Sequence, residues 1–289
     1  MGRIEGMGMR VGAGTASKLR IADLGTRALS AAVLLPVFLW IVLAGPLWVY
    51  GLMITAIAAL GQWEFTGMFE RAGIPTLRVG GLIGGTLVTA SFAWSMAEGV
   101  TLTLVLMALL ALSLSRAARS RGAWQSLAVT VLGVCYVNWL MGYGFRLRAL
   151  DGGSGWVLLL VGVTWLGETA AYVIGASVGR HKLAPLISPG KTVEGAIAQV
   201  TVSVLAAVAA GTWLVPSLTL GSAALIGATL GVVGQVGDLA ESALKRSVGA
   251  KDAGRLIPGH GGILDRVDGL LFNTPVLFYY ATCGRSWHL

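Results

Sequence analysis

Charge is scarce in this chain. Asp, Glu, Lys and Arg together make up 12% of its 289 residues, and the mean hydropathy is +0.78. A soluble domain carries about 25% charged residues, so this composition cannot cover a water-exposed globule and excludes a soluble protein. Cysteine is almost absent. Cys135 lies inside an apolar run and Cys283 near the carboxyl end, a spacing that excludes a disulfide framework and a cysteine zinc site and leaves two packing thiols. No repeat of fixed period occurs, and no polar stretch is long enough for a separate soluble domain. The short alternating segments of an outer-membrane barrel are missing as well.

What the chain has instead is long apolar runs containing Gly, Pro and Trp. Against the roughly 20 residues needed to cross hydrocarbon, nine candidate helices emerge at 28–44, 47–66, 79–97, 100–115, 124–145, 156–178, 195–214, 217–239 and 269–284. The expected fold is all-α, a polytopic integral membrane bundle of about nine transmembrane helices. The sequence divides into an amino-terminal segment 1–27, membrane helices within 28–150, and further membrane helices within 151–289 that carry the polar loops. The opening "MGRIEGMGMR" reads as an appended leader, and the run 28–44 as an uncleaved first helix because no small-residue cleavage site follows it. "GGLIGG" at 80–85, and Gly227 with Gly231, provide small-xxx-small pairs for close helix packing.

The net charge of +8 fits loops facing an anionic leaflet and needs no nucleic-acid partner. With the amino terminus in the cytoplasm, 21 Lys and Arg fall on the inner side except Arg146, Arg148 and Arg285. Arg146 and Arg148 are the misfit, consistent either with snorkelling or with a displaced fifth helix. The expected location is the inner membrane, multi-pass, with the polar site facing the cytoplasm.

Acids are fewer still, and their placement discriminates. Of the 13 Asp and Glu, Asp238, Glu241, Asp252, Asp265 and Asp268 crowd one window. Carboxylates near membrane depth cost about 3 kcal/mol unless paired or metal-bound. In "GQVGDLAESALKR" Asp238, Glu241 and Lys245 recur at helical spacing on one face. In "HGGILDRVDG" Asp265 and Asp268 share another, with Arg266 turned aside. Two helix ends bringing carboxylate pairs to one surface suit Mg²⁺, which takes one or two carboxylates plus substrate phosphates. Between them Lys245, Arg246, Lys251 and Arg255 supply phosphate-matching charge, and "PGHGG" supplies backbone that approaches an anion closely. A bare topology loop needs neither these acids nor these glycines. A second polar island, "GRHKLAPLISPGKTVEG" at 179–195, offers Ser188 and Lys191 to a phosphate. There Ser188-Pro189 is expected to start a turn, Thr192 to cap the seventh helix, and Glu194 to sit in its first turn. Upstream, Glu168 and Tyr172 stand at i, i+4 inside the sixth helix.

The window 242–268 resembles the signature of the phosphatidate cytidylyltransferases. The match is carried by Ser242, Lys245, Arg246, Lys251, Asp252, Gly254, Pro258, His260, Gly261, Gly262, Asp265, Arg266 and Asp268. "GDLAES", "SPGKTVEG" and "TRALSA" add to it. The resemblance implies a membrane enzyme that joins CTP to phosphatidic acid, making CDP-diacylglycerol and pyrophosphate. It further implies Mg²⁺ dependence, with Asp238 and Asp265 as ligands and K⁺ as a second cation. On this basis Lys245, Arg246, Lys251 and Arg266 are expected to neutralise the triphosphate, and Ser188 and Lys191 to hold the phosphatidate head. Asp268 and Glu241 orient these groups, and Glu168, Tyr172, Glu194, Gly261 and Gly262 complete the substrate side. His260 either bonds a phosphate, assists proton transfer, or simply fixes the glycine turn. The chain departs from the family at Glu168, where Asp is usual. Rival readings are a related CTP-dependent enzyme, such as an archaeal ether-lipid cytidylyltransferase or a polyprenol-type kinase, and a transporter. Whether the chain pairs as a homodimer stays open.

Overall fold

The structure, a computed structural model, describes residues 32–93, 97–117, 122–254, 256 and 261–283. Among the described residues nine helices follow one another. They are α1 (Ala32–Leu43), α2 (Leu47–Arg71), α3 (Arg78–Ala93), α4 (Glu98–Ala117), α5 (Ala123–Arg148), α6 (Gly153–Val178), α7 (Val193–Leu214), α8 (Leu220–Ser247) and α9 (Leu264–Cys283). Each coincides with one apolar run, and five of them are long and apolar enough to cross a membrane. The protein is an all-α helical membrane protein. Its outward faces carry Val33, Trp40, Leu104, Ile197, Trp213 and Leu225, all exposed; helices satisfy their own backbone groups, so such side chains face lipid at no cost.

Small residues set how closely the helices approach. In α3, Gly81 packs on Thr130 and Gln62, Gly85 on Asn138, and Gly84 on Val105, so "GGLIGG" brings α3 against α2, α5 and α4 together. A Cβ added at Gly227 in α8 would lie 2.6 Å from Ser203 O and Val204 Cα of α7. The packing reading of both glycine sets is correct. Deeper in the first half, Asn138 Nδ2 donates to Gln62 Oε1 at 3.0 Å, and Thr89 Oγ1 donates to the Asn138 carbonyl at 3.0 Å. Such side-chain bonds between helices add to their association in hydrocarbon.

α8 runs to Ser247, past the expected end at 239, so Asp238, Glu241 and Lys245 lie on one continuous helix. The helix can extend because its last turns leave the apolar slab and carry paired charges. α9 then returns to pack on α8, α6, α5 and α2, joining the two halves of the chain. The island at 179–195 is a two-stranded antiparallel hairpin, β1 (Lys182–Ala184) and β2 (Ser188–Thr192), with Lys182 opposite Thr192 and Ala184 opposite Ser188. Its turn occupies residues 185–187. The turn expected from Ser188-Pro189 is therefore displaced, because Pro189 keeps an extended strand conformation there and the reversal begins three residues earlier.

Arg146 and Arg148 stay at the end of the bundle opposite the hairpin because both are satisfied there. Arg146 pairs with Glu98, and Arg148 Nε donates to Val42 O at 3.0 Å. No displaced fifth helix is needed, since α5 is continuous. Residues Val134–Trp139 within it adopt π-helical geometry.

The α7–α8 contact gives a direct test. Gly227→Ala is expected to destabilise the purified protein by about 1–3 kcal/mol, the usual cost of overpacking. Gly162→Ala, with nothing within 4 Å of the added carbon, is expected to be neutral or slightly stabilising. Thermal melting in detergent distinguishes the two; equal melting points would mean that α7 and α8 do not approach at Gly227.

Candidate functional site

α8 ends and α9 begins at the same end of the bundle, and one cation joins them. Lys245 Nζ lies 2.8 Å from Asp265 Oδ1 and 3.3 Å from Glu241 Oε2. The Lys245 and Asp265 side chains are 13% exposed and Glu241 only 1%. Glu241 and Lys245 meet because they stand four residues apart on α8.

Asp265 has a second task. Ala253 N donates to its Oδ2 at 3.1 Å, and Gly262 N donates to Oδ2 at 3.1 Å. One carboxylate thus gathers both ends of the signature loop and the first turn of α9. Gly261 has φ +81°, a left-handed conformation that glycine alone adopts without strain, and it turns the backbone so that Gly262 N faces Asp265. Burial pushes the Asp265 carboxyl up, and Lys245 with the Gly262 and Ala253 amides more than reverses this, holding it below the usual carboxylate range. Asp265 lies ahead of the apolar run from 269, where that charge is retained.

The hairpin delivers a second cation. Lys191 Nζ on β2 sits 2.7 Å from Asp238 Oδ2, and Ser242 Oγ reaches Asp238 Oδ1 at 3.4 Å. Asp268 lies within electrostatic reach of Asp238, Glu241 and Lys245, and its Oδ1 accepts from Gly269 N at 2.9 Å. Glu168, from α6, feels the charges of Asp268, Asp238, Lys191 and Arg266. Its carboxylate lies against Gly269 of α9, where any Cβ would overlap it. The extra methylene of Glu over Asp is therefore used to span from α6 to α9.

The structure thus brings together Glu168, Lys191, Asp238, Glu241, Lys245, Asp265, Arg266 and Asp268. Ser188 lies close by on β2. Arg246 is exposed, with Nη1 donating to Ala250 O at 3.0 Å and Nε to Ile187 O at 3.4 Å, which steadies the hairpin turn. Lys251 is exposed beside Asp252. Tyr172, 78% exposed, points away from the bundle interior and is not drawn into the cluster. Thr192 caps α7 as expected, accepting from Gly195 N at 3.2 Å. Glu194 sits in the first turn of α7 as expected, and its Oε1 lies 2.7 Å from His181 Nδ1. His260 and Pro258 lie outside the described residues, as do Arg255, "TRALSA" through Ser30 and Ala31, and residues 1–27.

Sequence reading missed several members. Glu64 of α2 is 3% exposed, and its Oε2 accepts from Leu264 N at 3.0 Å. Arg71 Nη2 donates to Ala253 O at 2.7 Å. The signal for Glu64 was present: an ionisable residue inside an apolar run is a functional candidate by default. Tyr136, in the π-helical stretch, packs between Phe65 and Phe272. Its hydroxyl is buried with no hydrogen-bond partner among the described residues, within electrostatic reach of Glu241, Asp268 and Asp238. Neither the π turn nor this orientation is legible in residue order.

Five carboxylates here face three cations, an excess of negative charge suited to a divalent ion. Among the described residues no three His, Cys, Asp or Glu side chains stand in ligating geometry around one point. Mg²⁺ asks for less, since substrate oxygens and waters complete its shell. Asp238, partly exposed and held by a single lysine, suits such an ion. Asp265, with both oxygens engaged, would first have to release Lys245.

Such an arrangement, charged groups of both signs gathered at one end of an apolar bundle, suits a membrane enzyme of anionic substrates. The chain belongs to the cytidylyltransferase family, whose sequence model matches residues 25–283, and it is a nucleotidyltransferase. It is similar to the phosphatidate cytidylyltransferase of Staphylococcus epidermidis, 32% identical over 256 residues, covering 87% of this chain and 96% of that protein. The Staphylococcus aureus phosphatidate cytidylyltransferase is 34% identical over 261 residues with the same coverage. An uncharacterized Escherichia coli protein, YnbB, is 41% identical over 152 residues; the match spans 53% of this chain and half of that protein's length.

Replacing Lys245 by Met is expected to destabilise the fold by about 3–5 kcal/mol, because Glu241 and Asp265 lose their shared counter-charge in a buried setting. Thermal melting in detergent reads this directly, and a change under 1 kcal/mol would show that the pair does not hold α8 to α9.

Proposed function

We propose that this protein is a phosphatidate cytidylyltransferase that makes CDP-diacylglycerol and pyrophosphate from CTP and phosphatidic acid at the cytoplasmic face of the inner membrane. The observation that carries the reading is the convergence of Lys191, Asp238, Lys245, Asp265 and Asp268 at one end of the bundle. The two staphylococcal relatives named for that activity match nearly their whole length.

A phosphate oxygen of phosphatidate attacks the α-phosphorus of CTP; that P–O bond forms as the bond to the β-phosphate oxygen breaks and pyrophosphate leaves. The nucleophile is already anionic, so no strong base is required. The difficulty is to bring two polyanions together, and catalysis rests on positioning and on preorganised charge. Lys245, Arg246, Lys251 and Arg266 lie on the α8–α9 side and receive the triphosphate. Lys191 and Ser188, on the hairpin at the lipid surface, receive the phosphatidate head. Glu241 and Asp268 hold these cations in place. A bound Mg²⁺, carried by Asp238 with Asp265 once Lys245 is drawn to phosphate, would neutralise charge on the triphosphate. Such an ion would compete with Lys191 and Lys245 for the two aspartates, which would leave both lysines to substrate phosphate.

Asp238→Asn and Asp265→Asn are each expected to reduce CDP-lipid formation by at least about 100-fold while the protein still inserts in the membrane. The assay follows α- and γ-labelled CTP with dioleoyl phosphatidate and Mg²⁺ in detergent. Near-normal turnover in Asp238→Asn removes the ion-binding role, and appearance of the γ-label in lipid makes the enzyme a kinase. Glu168→Asp is expected to keep activity within about ten-fold of the parent. Complete loss would mean that the reach to Gly269 is essential.

A further inference from the structure

The first half of the chain supplies no member of the signature, yet one of its side chains lies at the signature's centre. Glu64 Oε2 accepts the Leu264 N–H at 3.0 Å. Its carboxylate also fills the space that a Cβ would need at Gly254 and at Gly262. These three residues are the two ends of the signature turn and the first residue of α9. Two turns further along α2, on the same face, Arg71 donates to the Ala253 carbonyl at 2.7 Å. Gly61, one turn earlier, lies beside Leu264.

A helix that only needed an ending would carry Ser, Thr, Asp or Asn just before its first residue. Here that place is Ile263, which has no acceptor. The N–H groups at the start of α9 are served by Glu64 on Leu264 and by Asp265 on Gly262. Two carboxylates from different halves of the molecule therefore hold consecutive parts of one turn. If Glu64 is removed, Leu264 and Gly254 lose their seat, and Asp265, the next residue, loses a fixed position.

We propose that Glu64 is a positioning residue of the transfer reaction: seated on Leu264 N, Gly254 and Gly262, it fixes the two ends of the signature turn and the start of α9, and through them Asp265 and Lys245. This rests on the reading of this end as the transfer site. The role explains why an ionisable residue is kept in the apolar α2, and why glycine occupies both 254 and 262.

The test uses the full chain in detergent. Glu64→Ala is expected to lower kcat by at least about ten-fold, since small displacements of reacting groups are costly, with KM for phosphatidate nearly unchanged. Glu64→Gln keeps an acceptor of the same length and is expected to recover most of that loss. Hydrogen exchange of peptides covering 261–270 is expected to quicken in Glu64→Ala and not in Glu64→Gln. Unchanged exchange, or a kcat within two-fold of the parent in folded Glu64→Ala, overturns the proposal, as does equal loss in both variants. Should Glu64→Ala fail to accumulate, Gly262→Ala displaces the turn from an intact Glu64 and must show the same faster exchange; normal exchange there is equally fatal. Absence of any CTP turnover in the parent would overturn the functional reading alone, because the exchange experiment still decides the place of Glu64.

Discussion

The structure depends on how charge is held where helices leave hydrocarbon. Lys245 stands between Glu241 and Asp265, and neither carboxylate is placed to be solvated freely. Breaking such a pair from one side is costly, while the pair itself adds little beyond its desolvation. Its value lies in geometry. It fastens the last turns of α8 to the first turn of α9, and Asp265 passes the constraint to the backbone of Ala253 and Gly262. A sequence with hydrocarbon at these positions would pack as well, but it would have no polar surface for a nucleotide.

The same economy explains the second pair. Lys191 reaches Asp238 only because the segment between α6 and α7 folds as a hairpin and lays β2 across the bundle end. Each of these two lysines is paired with an aspartate, so neither is left without a counter-charge. Under the proposed reaction, phosphate oxygens compete for the lysines and a divalent cation competes for the aspartates. The two exchanges favour each other, since either alone strands a charge.

Much of this was legible in residue order because membrane proteins obey few rules strictly. Each apolar run became a helix, since a helix satisfies its own backbone within a single segment in lipid. Arg146 and Arg148 contradict the inner-side bias of Lys and Arg only until Glu98 and the Val42 carbonyl are seen beside them. The spacing of Asp238, Glu241 and Lys245 gave their shared face correctly. What could not be read was tertiary. A hairpin of three and five residues has no period to detect, and the sequence places its turn wrongly at Ser188-Pro189. Glu64 and Leu264 are 200 positions apart, and nothing local links them. Tyr136 points towards the acids through a π-helical turn that no composition marks.

These long-range contacts also say why the catalytic segment is not a separable unit. The signature turn is short, glycine-rich and polar, the kind of segment that pays most in conformational entropy to be held in one shape. Its described ends, at Ala253, Gly254 and Gly262, are held from three directions: by Lys245 on α8 through Asp265, by Asp265 itself at the start of α9, and by Glu64 with Arg71 on α2. α9 joins both halves, lying on α8 and α6 of the second and on α5 and α2 of the first. The amino-terminal helices are therefore more than a membrane anchor. They form the wall on which the two ends of the glycine turn are seated, and the family's match across residues 25–283, rather than across the signature alone, is what that dependence requires.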